Sequence, residues 1–190
     1  KVDGNSLSLV YEAGKLSVAK TRGDGKMGED VTEKAIWVSD VRRSFDEDYS
    51  LEIRGELYCS ESKFGDLAEY MESKGLDRPT SPRNIVAGLL GRKSHVSLAR
   101  YFNFLAFDVI TEDPRLQFAT EIEKFEWLKK QGFSLPKPKL IEDKKTLETY
   151  VNEVKTYMDE GDVGLDGVVF SYNQTDLHDE LGETAHHPRY

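Results

Sequence analysis

Cysteine is almost missing from this chain: Cys59 is the only one in 190 residues. A single thiol excludes an internal disulfide and any cysteine-cluster zinc site within the stretch, and an intracellular, cytoplasmic location is the expectation. No apolar run approaches the length of a membrane span, so no membrane partner is expected. No secretory signal is visible in these residues. Repeats, low-complexity tracts and long linkers are also missing. Basic charge is in the minority, with a formal net charge of −9, which argues against a uniformly basic nucleic-acid binder.

What is present is a composition of 38% hydrophobic and 32% charged residues, that of a soluble globular domain long enough to bury a core. The charge is unevenly spread. Residues 81–100, "SPRNIVAGLLGRKSHVSLAR", hold Arg83, Arg92, Lys93 and Arg100 and no acid. In so acidic a protein this is a positive island.

Periodicity gives the elements. Leu7, Leu9 and Tyr11 alternate with Ser6, Ser8 and Val10; "EAGK" turns the chain; Leu16 and Val18 resume the alternation, so 5–22 predicts a hairpin. A glycine-rich loop, "TRGDGKMGED", follows. Residues 49–59 and 102–110 predict strands. Helices are predicted from about Ser60 to Lys74, from Ser81-Pro82 through Leu90, over 117–131 and over 144–160, with Gly75, Gly132 and Gly161 as stops for three of them. The last of these helices is expected to turn Leu147, Tyr150, Val151, Val154 and Met158 inward. "LDGVVFSY" (165–172) predicts a final strand. Without a regular βαβ rhythm, the fold class is α+β, mainly antiparallel sheets flanked by helices.

Four polar pairs fit this scaffold poorly. Lys1 and Asp3 precede the hairpin; Arg22 and Asp24 lie in the glycine-rich loop; Arg54 and Glu56 flank Gly55 in an apolar strand; Asp166-Gly167 opens the last strand. Each sets charge beside glycine at a strand edge, where glycine often marks the close approach of a ligand or another backbone. Any one alone is more often a salt bridge or turn residue.

Read in order, "KVDG", "TRGDGKMGEDVT", "EIRGELY", "SPRNIVAG" and "LDGVVFSYN…LGETAHHPRY" resemble the adenylation domain of bacterial-type NAD+-dependent DNA ligases, from the first residue to the last. The lysine and "DGVV" are shared by all covalent nucleotidyltransferases. The other motifs point to the NAD+ branch. The resemblance implies a nucleotidyltransferase fold. It also implies that Lys1 attacks the adenylyl phosphorus of NAD+ to form a lysyl–AMP intermediate, with Mg2+ assisting. AMP then passes to the 5′-phosphate of nicked double-stranded DNA. It makes Lys1 and Asp3 catalytic. It puts Arg22, Glu56, Phe107, Asp166 and Arg83 at the nucleotide, with Phe107 stacked on adenine. It gives Arg92, Lys93 and Arg100 to DNA, and leaves the metal ligands unassigned. A free lysine is only about 0.1% neutral near pH 7.5, a penalty of roughly 4 kcal/mol, so the site has to release that proton.

The sequence departs from the family pattern at three places: Ser171 stands where the family has a lysine, Gly91 where it has an arginine (Arg92 follows), and Met158 where another arginine is usual. The family also has domains before the lysine and after "PRY". The expectation is therefore a domain of 1–190 truncated at both ends, whose missing parts come in cis or from a partner subunit, and which alone fails to seal nicks. Two other readings share some residues. An ATP-dependent polynucleotide ligase or capping-type enzyme shares Lys1 and Asp166-Gly167 but not "TRGDG" or "PRN". A non-catalytic nucleotide- or DNA-binding module accommodates Ser171 and Met158.

Overall fold

In a computed structural model, residues 1–22 and 28–182 are described. Asp24 of the glycine-rich loop and the "ETAHHPRY" end lie outside them. The hairpin forms as β1 (Asn5–Glu12) and β2 (Lys15–Thr21), joined by Ala13 and Gly14 at φ +47° and +75°. Two successive left-handed residues match the twist of the flanking strands. A Cβ on Gly14 would lie 2.3 Å from the Glu47 carbonyl oxygen, so glycine is required there twice over.

One strand expectation needs correction. Leu16 pairs with Tyr11 and Val18 with Val10, so the two do not share a face. An irregularity after Val10 inserts one extra residue on β2, and Ala19, opposite Leu9, takes the buried place.

β3 (Leu51–Tyr58) pairs with the free side of β1, and β4 (Asn103–Ile110) with β3. The sheet order is β2-β1-β3-β4, antiparallel throughout. This is the α+β class expected. One face carries Leu7, Leu9, Tyr11, Ile53, Leu57, Phe104, Ala106 and Val109, all buried. The other carries Ser6, Ser8, Glu52, Arg54 and Glu56.

Short α1 (Thr32–Ala35) and a 3-10 helix (Val96–Tyr101) were not legible in the sequence. α2 (Glu61–Ser73) starts where the Ser60 hydroxyl accepts from the Lys63 amide, buries Leu67, Ala68 and Met71, and stops before Gly75 at φ +69°. Full burial of a leucine or methionine side chain stabilises by about 1.5–3 kcal/mol. α3 (Pro82–Leu90) is capped by Ser81 and buries Ile85, Val86, Leu89 and Leu90. α4 (Glu121–Lys130) begins four residues later than expected. Thr120 and Glu123 form a capping box there, which leaves Phe118 before the helix, packed on Trp127.

α5 (Lys144–Glu160) has the expected span but not the expected burial. Leu147, Tyr150, Val151 and Val154 are half-buried and Met158 is exposed. The helix is tied to the extended 134–139 connection instead, by Tyr150 Oη on the Lys137 carbonyl (3.1 Å) and by Lys139 with Glu153. α6 (Thr175–Leu181) follows.

The predicted last strand is also corrected. Only Leu165 makes a bridge, to Val2, and 166–172 forms no ladder. A strand needs a partner, and beyond Gly167 none of the described residues supplies one. Val169, Phe170 and Tyr172 consequently stay exposed. Among the described residues no helix is long and apolar enough to cross a membrane.

Candidate active site

The sheet's registers gather one end of the molecule. Asn5 pairs with Leu57, so Lys1 to Gly4 lie beyond the end of β3. A Cβ on Gly4 would stand 2.4 Å from the Leu57 carbonyl oxygen, so this entry to β1 hugs β3. The first residues then clasp a distant segment. The Asp3 amide donates to the Gly164 carbonyl and the Asp166 amide to the Lys1 carbonyl, both at 2.9 Å, around the Val2–Leu165 bridge.

That segment is fixed on both sides. Asp162 accepts from the Ser62 amide (2.8 Å) and hydroxyl (2.7 Å) at the start of α2. Further on, Asn173 accepts from the Glu121 and Ile122 amides at the start of α4, and Thr175 Oγ1 donates to the Phe118 carbonyl. Residues 165 positions apart in sequence are thereby held face to face.

The result is two ion pairs side by side. Lys1 Nζ lies 2.9 Å from Asp166 Oδ2, and Arg83 Nη1 lies 2.7 Å from Asp3 Oδ1. Arg83 reaches Asp3 from the first turn of α3. The Lys1 side chain remains 61% exposed, so an incoming group can reach its nitrogen. The hydrogen bond from Lys1 and then its charge hold Asp166 below the usual carboxylate range, and Asp166 in turn raises Lys1. Glu56, on the open sheet face, feels Lys1, Arg83 and Asp166. Its carboxyl is pushed up by burial, against the Ser6 hydroxyl that donates to it at 3.1 Å.

Five expected residues therefore meet: Lys1, Asp3, Glu56, Arg83 and Asp166. Arg22 joins by register. Thr21 pairs with Leu7, so Arg22 continues beside Ser6, with Glu56 on the opposite flank of β1. At about 4.8 Å per strand, their backbones stand about 10 Å apart. Phe107 is exposed on β4, two positions beyond the partner of Glu56. Arg92 and Lys93 lie past the far end of α3, and Arg100 in the 3-10 helix, away from this cluster.

Of the two expected reasons for Gly55, close approach of a ligand or of another backbone, the structure shows the second: Gly55 faces the core, where the Leu105 carbonyl and the Phe104 ring fill the space a side chain would need. Arg54 turns to Glu52 at 3.0 Å. Two site residues escaped the sequence reading. Ser6 could have been found by laying the hairpin register against "EIRGELY", which sets it opposite Glu56. Asp162 carries no motif that announces it.

Among the described residues, no three His, Cys, Asp or Glu side chains gather to hold a metal. Mg2+ needs only one or two carboxylates when phosphates complete its shell, and Lys1 engages just one of the two Asp166 oxygens.

The pairing gives a pH signature. Lys1 is raised and Asp166 depressed, so the clasp's ion pair is present above the ordinary aspartate pKa. It is lost as pH falls through the Asp166 value, and again as pH rises through the Lys1 value. Asp166→Asn removes the group that keeps Lys1 protonated. The rising limb of kcat/KM against pH, on which an attacking amine loses its proton, is expected to move to lower pH in this variant, while the plateau rate falls because Lys1 is less firmly placed. An unmoved limb would show that Asp166 does not control the amine.

Comparison with known proteins identifies the family. The family model for the NAD-dependent DNA ligase adenylation domain matches residues 1–190. A DNA ligase of Lacticaseibacillus casei is 34% identical over 192 aligned residues, covering 100% of this chain. DNA ligases of Mycoplasmopsis pulmonis and Limosilactobacillus reuteri are 32% and 33% identical, covering 97% and 100% of it. The chain spans 28% of the length of each of these relatives. The clasp that joins "KVDG" to "LDG" and the family match over the whole length lead to one conclusion: this chain belongs to the NAD-dependent DNA ligase adenylation domain family.

Proposed function

We propose that this chain is the nucleotidyltransferase-fold core of an NAD+-dependent DNA ligase and acts as part of a longer cytoplasmic polypeptide. NAD+ is the AMP donor and nicked double-stranded DNA the acceptor. The observation that carries the reading is the exposed Lys1 amine, held between the clasped segment and the open sheet face and surrounded by Asp3, Glu56, Arg83 and Asp166.

Lys1 Nζ, once neutral, attacks the adenylyl phosphorus. A P–N bond forms, the P–O bond to nicotinamide mononucleotide breaks with its electron pair going to the departing phosphate, and the amine proton passes to water. Arg83 offers its charge to the phosphate in exchange for its contact with Asp3, and Glu56 and Arg22 flank the ribose. Phe107 gives the adenine a face to stack on. Mg2+, when bound, supplies neutralisation of phosphate charge. The AMP then moves to the 5′-phosphate of the nick, and the 3′-hydroxyl displaces it.

The test is labelling of the full-length ligase with adenylate-labelled NAD+ or ATP in the presence of Mg2+. A covalent label from NAD+, and none from ATP, is expected. A label from ATP alone would replace this reading with an ATP-dependent ligase, and no label from either would leave a binding module.

A further inference from the structure

The positive island extends beyond the residues that the sequence marked. The 3-10 helix buries Leu98 and Ala99 and so presents Arg100 outward, toward the last turns of α2. The Arg100 guanidinium lies 4.8 Å from the centre of the Tyr70 ring and 5.1 Å from that of Tyr101. Lys74, one turn beyond Tyr70, sits 5.7 Å from the Tyr70 ring centre. Beside them opens a cavity of about 320 Å³, lined by Tyr70, Lys74, Leu76, His95, Ser97 and Leu98.

The charge here is unspent. Elsewhere in the protein Lys20, Arg54, Arg115 and Lys124 each meet a carboxylate. At this end of α2, Glu72 is occupied by both of its oxygens on Arg78 (3.1 Å each). Lys74, Arg92, Lys93 and Arg100 are all described residues, and none of them forms an ion pair. In a chain of net charge −9 that concentration calls for an anionic partner. Stacking on two rings also holds the Arg100 fork in place, which reduces the entropy lost when its N–H edges are used. Ser97 and His95 add polar groups to the same hollow.

Distance selects the anion. α3 runs nine residues from Arg83's turn, at the Lys1 cluster, to the loop that carries Arg92 and Lys93. At 1.5 Å per residue this is about 13 Å. Phosphates on one duplex strand advance about 3.4 Å along the axis, so a span of this length covers about four phosphate steps. We propose that Lys74 and Arg100, with the hollow between α2 and the 3-10 helix, hold a backbone phosphate of the duplex several base pairs from the nick. The DNA footprint then continues from α3 onto α2. This rests on the function proposed above, and it adds α2 to the DNA-binding surface.

The experiment uses full-length ligase, wild type and Lys74→Ala, with Arg100→Lys as a variant that keeps charge but loses the stacked fork. Self-adenylation by NAD+ is measured first, because Lys74 stands apart from Lys1 and adduct formation is expected to be unchanged. Binding of a nicked duplex is then titrated over a range of salt. Lys74→Ala is expected to weaken binding about tenfold at low salt and to reduce the slope of log K against log salt by about 0.9. A neutral methylphosphonate stepped along the phosphates flanking the nick is expected, at one position, to weaken the wild type and to leave Lys74→Ala no weaker than it already is.

Normal self-adenylation with an unchanged salt slope, or with additive losses at every methylphosphonate position, would overturn the α2 contact and leave the function standing. Failure of wild-type self-adenylation would count against the function itself. Unchanged DNA binding with a loss confined to RNA or to a protein partner would also overturn the proposal.

Discussion

Lys1→Arg in the full-length ligase is expected to abolish the covalent AMP adduct while sparing the fold. Arginine keeps the length and the positive charge, so the pair with Asp166 can persist. Its guanidinium has a pKa above about 12 and does not lose its proton at working pH, so it presents no lone pair to phosphorus. The Lys1 side chain is largely exposed, and nothing in the core depends on it. The loss is therefore one of chemistry. Labelling with NAD+ is expected to fall below detection, whereas a nick already bearing a 5′-adenylate is expected to be sealed, since that step no longer needs the nucleophile. A variant labelled to wild-type stoichiometry would remove Lys1 from its role.

Gly55→Ala is expected to have the largest effect on stability. A Cβ there would stand 2.3 Å from Phe104 Cζ and 2.5 Å from the Leu105 carbonyl oxygen. The ring is completely buried against Phe133, and the oxygen belongs to the neighbouring strand of the ladder, so neither can swing away. Overpacking of this kind typically costs about 1–3 kcal/mol, and backbone involvement takes it to the top of that range or above. Against a domain stability of about 5–15 kcal/mol, this is a visible shift in the denaturation midpoint. Chemical denaturation of wild type and variant measures it. An unchanged midpoint would mean that the β3–β4 pairing is looser than the structure describes.

Gly55 also shows what a sequence can and cannot convey. "EIRGELY" displays a glycine inside an apolar strand, and that oddity is correctly visible. Its cause is a phenylalanine about fifty residues away, which no local pattern reveals. Helix ends were easier to read because their chemistry is local. Ser60, Ser81 and Thr120 cap with their own hydroxyls, and Gly75 and Gly132 adopt positive φ just past the stops.

The clasp between 1–3 and 164–167 has three main-chain hydrogen bonds and one bridge, too short to leave a periodic signal. Lys1 and Asp166 came together in the sequence reading only through family motifs. The segment 165–172 read as a strand because its apolar residues form one run. It lacks a ladder because strand formation is a property of pairs, and Val169 and Phe170 have no pairing neighbour among the described residues. In α5, the 3.6-residue stripe was correct for a helix, but a stripe does not specify how deeply it will be covered.

The central claim is that Lys1 becomes covalently joined to AMP taken from NAD+. The most direct measurement is to incubate full-length ligase with NAD+ and Mg2+ without DNA, digest it, and locate the added AMP by mass spectrometry of the peptides. The account expects one AMP per molecule, on the Nζ of Lys1, released when nicked DNA is added. AMP carried on any other residue, or a folded ligase that takes none from NAD+, would contradict it.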